Sequence, residues 1–343
     1  MKCLPQSKLH LVQGNVLHDS HAETLAIRAF NRWLLDECKA LAERGGEQRH
    51  EWIRWRSSQE RYASETSGEA TDWQAQPFAI NDDVSVYIYC SQGPCGDASM
   101  ELTMRSQPDD TPWTLQPPAD EMLGRGNFDR LGVVRRKPAR PDAQMTLSKS
   151  CSDKLALKQA TSLLSGITTL IVHPGNAYLD VLILPDADYV EGAIQRAFSR
   201  QGRMKAVDDG DWAAGYAFHP FDVRTTSRIF EHGKQSGEGV ETVPSNLSAV
   251  ATPDFEESLI NGVLQGRKQL DPRGASALSR RRLVESVKSL AELLDDVEVK
   301  RGTYADIKAM QELRGREYVK RKVRENALQG WKRNEGDESW RVE

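Results

Sequence analysis

Apolar residues recur at helical spacing from Ser20 to about Ala42, where Leu25, Phe30, Leu34, Leu35, Cys38 and Leu41 mark one face. Asp19 or Ser20 supplies an N-cap, and Glu23, three residues after Ser20, completes a capping box. The period then breaks. Residues 44–76 are polar, with Trp52, Trp55 and Trp73 scattered among charges, and read as a partly mobile surface insertion with room for one short helix. Alternation returns at Val84–Cys90, a β-rich run that predicts a strand leading into Gly93-Pro94-Cys95, where a helix begins. Residues 105–130 form a loop rich in Pro and Asp. The pattern next predicts a helix over Cys151–Leu164, short strands at Thr169–Val172 and Val181–Leu184, and a loop or strand pair over 231–253. Helical patterns resume at Ala275–Leu294 and Tyr304–Trp331, and there is no internal repeat. This order predicts an α/β core with a helical C-terminal part.

Composition narrows the class. With 343 residues, 38% hydrophobic and 28% charged, the chain can bury a sizeable core under a charged surface. No apolar run approaches the ~18 residues of a membrane helix, and Met1-Lys2-Cys3-Leu4-Pro5 lacks the apolar core of a secretory signal, so cytoplasm or nucleus is expected. Five scattered cysteines (Cys3, Cys38, Cys90, Cys95, Cys151) do not make a disulfide framework and leave metal or catalytic use open. The net charge of −4 conceals an excess of +8 between Arg267 and Arg333. That basic helical part is either solvated helix surface or a site for phosphate groups.

Three short segments carry chemistry. His21-Ala22-Glu23 places an imidazole and a carboxylate at a helix start, while Pro94-Cys95-Gly96-Asp97-Ala98-Ser99 and Ser150-Cys151-Ser152-Asp153-Lys154 each bring one thiol to a predicted helix start. One histidine, two cysteines and a glutamate that is not a ligand are the parts of a zinc hydrolytic nucleobase deaminase. His21, Cys95 and Cys151 would give three metal ligands and leave the fourth position to water. Glu23 would take the water's proton and return it to leaving ammonia. Helix N-termini favour thiolate over thiol. His-x-Glu alone is weak, and Pro-Cys after a strand is the stronger half of the signature. Ala98 stands where a second nearby cysteine would be, so the third ligand must come from a distance. Cys3 and Cys38 read as a loop and a helix-core residue, and Cys90 as a packed strand residue. His10, His18, His50, His173, His219 and His232 have no partners in sequence and read as surface or core filler.

Together, Asp19–Glu23, Pro94–Ser99, Arg136-Lys137-Pro138-Ala139-Arg140 and Ser150–Ala156 resemble the eukaryotic adenosine-to-inosine RNA-editing deaminases. The segment Leu155–Ser165 is most similar to the tRNA-acting branch in its filamentous-fungal form, and Ile260-Asn261-Gly262 and Gly274-Ala275-Ser276 extend the likeness over nearly the whole chain. The resemblance implies a single deaminase domain over 1–343 with the cytidine-deaminase-like fold, a mixed sheet flanked by helices with zinc at helix ends. It also implies deamination of adenosine just 3′ of the anticodon of alanine tRNA, with the tRNA anticodon loop as partner. From the duplex-RNA editors it implies a buried inositol hexakisphosphate, held here by Arg28, Lys137, Thr146, Lys154, Arg280, Lys300, Tyr304, Lys308 and Trp331. Ile27 and Leu157-Lys158 depart from the family's Arg and Arg-Trp at cage positions, which implies a rearranged cage. The family places a helix and strands ahead of the segment that opens this chain, so the resemblance implies a core lacking its opening strands. The rival readings are an editor of double-stranded RNA and an inactive zinc-, inositol-phosphate- and RNA-binding protein. A single-stranded anticodon loop costs less to open than a duplex, which favours tRNA.

Overall fold

The computed structural model describes residues 3–45, 50–62, 72–105, 130–137, 144–207, 212–231, 233, 245–294 and 297–342. It is a mixed α/β structure. Helix α1 (Ala22–Arg44) turns Leu25, Ala29, Leu34, Leu35, Cys38 and Leu41 inward and stops at Gly45, whose N–H donates to Ala42 O. Strand β1 (Ile53–Trp55), helix α2 (Ser58–Tyr62) and strand β2 (Phe78–Ile80) follow, with β1 and β2 antiparallel. Strand β3 (Tyr87–Tyr89) is followed by α3 (Met100–Arg105), α4 (Cys151–Thr161), β4 (Val181–Pro185), α5 (Glu191–Phe198) and β5 (Asp222–Thr226). The parallel sheet β3-β4-β5 is built on β4, whose Val181, Leu182 and Leu184 are buried. Continuous apolar sequence is what a strand in a parallel sheet requires.

An antiparallel sheet then forms from β6 (Leu247–Ala251), β7 (Glu256–Ile260) and β8 (Val263–Leu264). The Asn261-Gly262 turn between the last two has φ of 53° and 81°. Glycine is required there, because a Cβ on Gly262 would come 2.5 Å from Leu17 O. The chain continues with α6 (Arg280–Ala291), β9 (Gly302–Thr303), α7 (Tyr304–Lys308), α8 (Arg314–Asn326) and β10 (Arg341–Val342), which pairs with β9. One buried cluster joins α1, β1, β2 and α6, and a second joins α4, β4, α5 and α8. Among the described residues no helix is long and apolar enough to cross a membrane.

Several local expectations are corrected. His21, not Asp19 or Ser20, occupies the N-cap of α1, with no side-chain cap, because the Asp19 carboxylate is engaged elsewhere. The 44–76 segment contributes to the core: Ile53 is fully buried and Trp55 packs on Phe78 at 4.3 Å between ring centres. Residues 46–49 and 63–71 lie outside the described residues, as does most of the 105–130 loop. Thr168–Leu170 forms a 3-10 turn rather than a strand, since Ser165 Oγ accepts from Thr168 N at 3.2 Å and nucleates it. The helix expected from Ala275 begins at Arg280 behind the Ser279 cap. The span Tyr304–Trp331 is two helices, split at Met310, whose extended ψ of 147° cannot continue a helix.

Candidate active site and basic cavity

Two helix starts meet at the candidate metal centre. Cys151 is the first residue of α4, capped by Ser150, whose side chain accepts from Asp153 N at 3.1 Å. Cys95 lies in the loop opposite, and Cys151 N donates to Cys95 Sγ at 3.3 Å. The approach depends on Gly96, which has φ of 104° and where a Cβ would come 2.3 Å from Ser150 Oγ. Asp97 anchors the same loop, its Oδ1 accepting from Arg196 Nε at 3.1 Å and Gly132 N at 2.8 Å.

The two thiols are shifted in opposite directions. A hydrogen bond from Cys151 lowers Cys95 to about 6 against the effect of burial, helped by Lys137 and His21. The same hydrogen bond and burial push Cys151 up. Lys137 Nζ reaches Cys151 Sγ at 3.2 Å and Asp19 Oδ2 at 2.9 Å. Burial opposes its charge, but Cys95 and Asp19 raise it well above an ordinary lysine, so it remains an ammonium.

Asp19 is the hub between the centre and the cavity behind it. Burial resists ionisation, yet Lys154 and Lys137 hold its carboxyl well below the usual carboxylate range. Its Oδ2 takes hydrogen bonds from Lys137, Lys154 and Ser148, and its Oδ1 pairs with His21 Nδ1 at 2.7 Å. Burial opposes the charged imidazole, but the hydrogen bonds to Asp19 and Cys3 raise His21 to about 10. Cys3 Sγ lies 3.7 Å from His21 Nδ1, in a short antiparallel bridge that joins residue 3 to residue 19.

The structure thus brings Cys95 and Cys151 together and turns the His21 ring toward Asp19 and Cys3. Among the described residues, the group of three possible metal-ligating atoms within 4.8 Å of one another is Cys3, Asp19 and His21. Asp19 is a poor ligand there, because two lysines and a serine already occupy its Oδ2 and the His21 ring its Oδ1. The Asp19–His21 pair is instead what a metal-binding histidine uses to fix its ring, with Nε2 left for the ion. His21, Cys95 and Cys151 are not brought within 4.8 Å of one another, but their chemistry suits zinc: two adjacent thiols, an oriented imidazole and a fixed ammonium that favours thiolate. Glu23, in the first turn of α1, borders a cavity of about 210 Å³ together with Cys151. Ile27, Leu157 and Lys158 line that same space, and Lys158 Nζ donates to Leu163 O and Leu164 O at 3.0 and 2.8 Å.

Behind Asp19 lies a cavity of about 350 Å³. Of the residues expected to hold a polyphosphate, Arg28, Lys154, Arg280, Tyr304, Lys308 and Trp331 line it. Lys137 and Thr146 do not: Lys137 points to Asp19 and Cys151, and Thr146 Oγ1 donates to Lys137 O at 2.7 Å. Lys300 is exposed and away from the wall. Lys149, Arg316, Lys320, Arg324 and Arg333 line the cavity without having been expected. Arg316, Lys320 and Arg324 recur every four residues on α8, a signal visible in sequence as a basic stripe beside Val319 and Val323. His18 also lines the wall, bonded to Asp337 at 2.8 Å and Asn334 at 3.0 Å. Burial and Arg280 pull it down to about 4, so it is neutral and partnered rather than filler.

Nine cationic side chains face three carboxylates (Asp19, Glu317, Glu338) around this space. The charge is costly: burial lowers Lys149 to about 7 and Lys320 to about 8, and burial beside Arg316 and Lys320 pulls Lys158 far below an ordinary lysine. A polyanion would relieve that cost.

Comparison with known proteins shows the family. An adenosine-deaminase (editase) domain profile matches residues 1–335. A Schizosaccharomyces pombe protein named tRNA-specific adenosine deaminase 1 is 32% identical over 344 residues, 98% of this chain and 82% of the relative. The Saccharomyces cerevisiae protein of the same name is 32% identical over 200 residues, 55% of this chain and 45% of the relative. The Drosophila melanogaster one is 29% identical over 165 residues, 45% of this chain and 35% of the relative.

Proposed function

The chain belongs to the adenosine-deaminase (editase) domain family, and on that premise we propose that it converts adenosine to inosine in tRNA, next to the anticodon of alanine tRNA. The juxtaposition of Cys95 and Cys151 beside Lys137, with Glu23 in the neighbouring helix turn, carries the reading. His21, Cys95 and Cys151 would hold zinc, which when bound lowers the pKa of a water toward neutrality. Glu23 would take a proton from the attacking water as a C–O bond forms at C6 of adenine, and return it to the exocyclic nitrogen as the C–N bond breaks and ammonia leaves. Lys137 favours the thiolate at both sulfurs, and Asp19 holds both Lys137 and the His21 ring. The names of the fungal relatives support tRNA as substrate. Placement beside the anticodon rests on family likeness and on the lower cost of flipping a base from a loop.

The basic cavity takes a compact polyphosphate of the inositol hexakisphosphate kind. Its support is nine cations around about 350 Å³ with three carboxylates to offset them, an arrangement that repels itself without an anion. Lys154 joins that anion's site to Asp19 and through it to the metal centre.

The test is inosine formation in alanine tRNA and in duplex RNA, with Glu23→Ala as control. Inosine in tRNA from the native chain alone supports the reading. Inosine only in duplex RNA would overturn the choice of substrate. Zinc binding with silence on both would make this an RNA-binding relative without turnover.

A further inference from the structure

Helix α8 carries two basic stripes, and the cavity uses only one. Arg316, Lys320 and Arg324 face inward. Arg314, Tyr318 and Arg321 recur at positions one, five and eight of the helix and are exposed. They line a groove of about 520 Å³ that shares Arg324, Trp331 and Arg333 with the inner cavity.

We propose that this outer groove is a second RNA contact, holding backbone phosphates of the tRNA away from the reacting nucleotide. The inference rests on the tRNA reading above. Charge complementarity selects the partner. From Arg314 to Arg333 the chain carries eight Lys+Arg and two Asp+Glu, although its net charge is −4. Of the two acids on the groove, Glu317 is drawn to Lys320, leaving Glu325 as the exposed one. Among the described residues no carboxylate pairs with Arg314 or Arg321. Arg321 instead lies over the Tyr318 ring at 5.7 Å. Arg324 stacks on Trp331 at 5.2 Å, and its Nε is buried with no hydrogen-bond partner. Arginine forks held over aromatic rings can present their remaining N–H groups to phosphate oxygens, and the rings offer surface to a sugar or an unstacked base. An acidic protein segment would meet the charges but has no use for the aromatic platforms.

Neither Asp19 nor Glu23 nor Cys151 lines the groove, so RNA held there is held outside the space beside the metal centre. The two RNAs to compare are full-length tRNA and a short anticodon stem-loop, which lacks the arms beyond the anticodon stem. The experiment compares the native chain with the Arg314→Ala/Arg321→Ala double variant and its Lys/Lys counterpart, on both RNAs. For full-length tRNA the double variant raises KM about tenfold with kcat unchanged, and the log–log salt slope of binding falls by about 1.4–1.8, two phosphate contacts' worth. Kinetics on the stem-loop do not change, and the Lys/Lys protein recovers most of the loss. Retained thermal stabilisation by inositol hexakisphosphate shows that the fold and inner cavity are intact. Equal tRNA affinity and salt slope for native and double-variant chains would overturn the proposal. A native chain that makes no inosine defeats the deaminase reading separately, because filter binding of tRNA still reads the groove.

Discussion

The metal centre and the basic cavity share one residue, Asp19, and are otherwise built in opposite ways. The centre is assembled from short segments whose function is local: a histidine at a helix start, a cysteine just before a tight glycine turn, and a cysteine at the first position of α4. The cavity is assembled from one cation each on α1, α4, α6 and α7, three on α8, and Lys149 and Arg333 from connecting segments. The centre is stabilised within the chain, since Lys137 and Asp19 already balance its charges. The cavity is left with uncompensated charge. A site complete in itself needs only its ion, whereas a site in electrostatic debt depends on a partner to be stable.

Asp19→Ala breaks both regions together and has the largest expected effect. The buried Lys137 ammonium and the half-buried Lys154 ammonium lose their counter-ion, which costs about 3–5 kcal/mol. Both bound zinc and stabilisation by inositol hexakisphosphate should fall, as read by metal analysis and thermal melts. Loss of only one would show that the two regions are not joined through this carboxylate. Glu23→Ala separates chemistry from structure: turnover drops by about 10²–10⁴-fold with zinc content and melting temperature unchanged. A variant that kept activity would remove Glu23 from the proton path.

Lys320→Met touches the cavity alone. It removes a buried cation, so the anion-free chain should hold or gain stability, while the melting shift produced by inositol hexakisphosphate shrinks. An undiminished shift would place the anion elsewhere. The smallest effect is on pH. An unfolded lysine titrates near 10.5 and folded Lys149 near 7. Between those values the unfolded chain binds the extra proton, so stability of the anion-free protein rises with pH across this window. Melting curves at pH 7 and 9 should show that rise in the native chain and a smaller one in Lys149→Met. Equal slopes would mean that Lys149 is not buried as described.

The same contrast explains what could be read from sequence. His21, Glu23, Cys95 and Cys151 are legible because helix starts and the Pro-Cys turn fix their chemistry within a few residues. Helix α1, strand β4 and helix α4 are legible from period and caps. Cys3 beside His21 was not, because a bridge between residues 3 and 19 is a tertiary event. Nor were Ile53 and Trp55 as core residues, since their burial depends on pairing with β2. Lys149 and Arg333 reach the cavity only through the packing of distant segments. The inward stripe of α8 was present as a four-residue period but indistinguishable from a solvated face until α4 packed against it.

X-ray absorption at the zinc edge of the metal-loaded chain tests the central claim most directly. Ligation by His21, Cys95 and Cys151 predicts two sulfurs at ~2.3 Å and one imidazole nitrogen near ~2.0 Å, reduced to one sulfur in Cys95→Ser. A single sulfur in the native chain, unchanged by Cys95→Ser and lost in Cys3→Ser, would put the ion at Cys3, Asp19 and His21 and contradict the account.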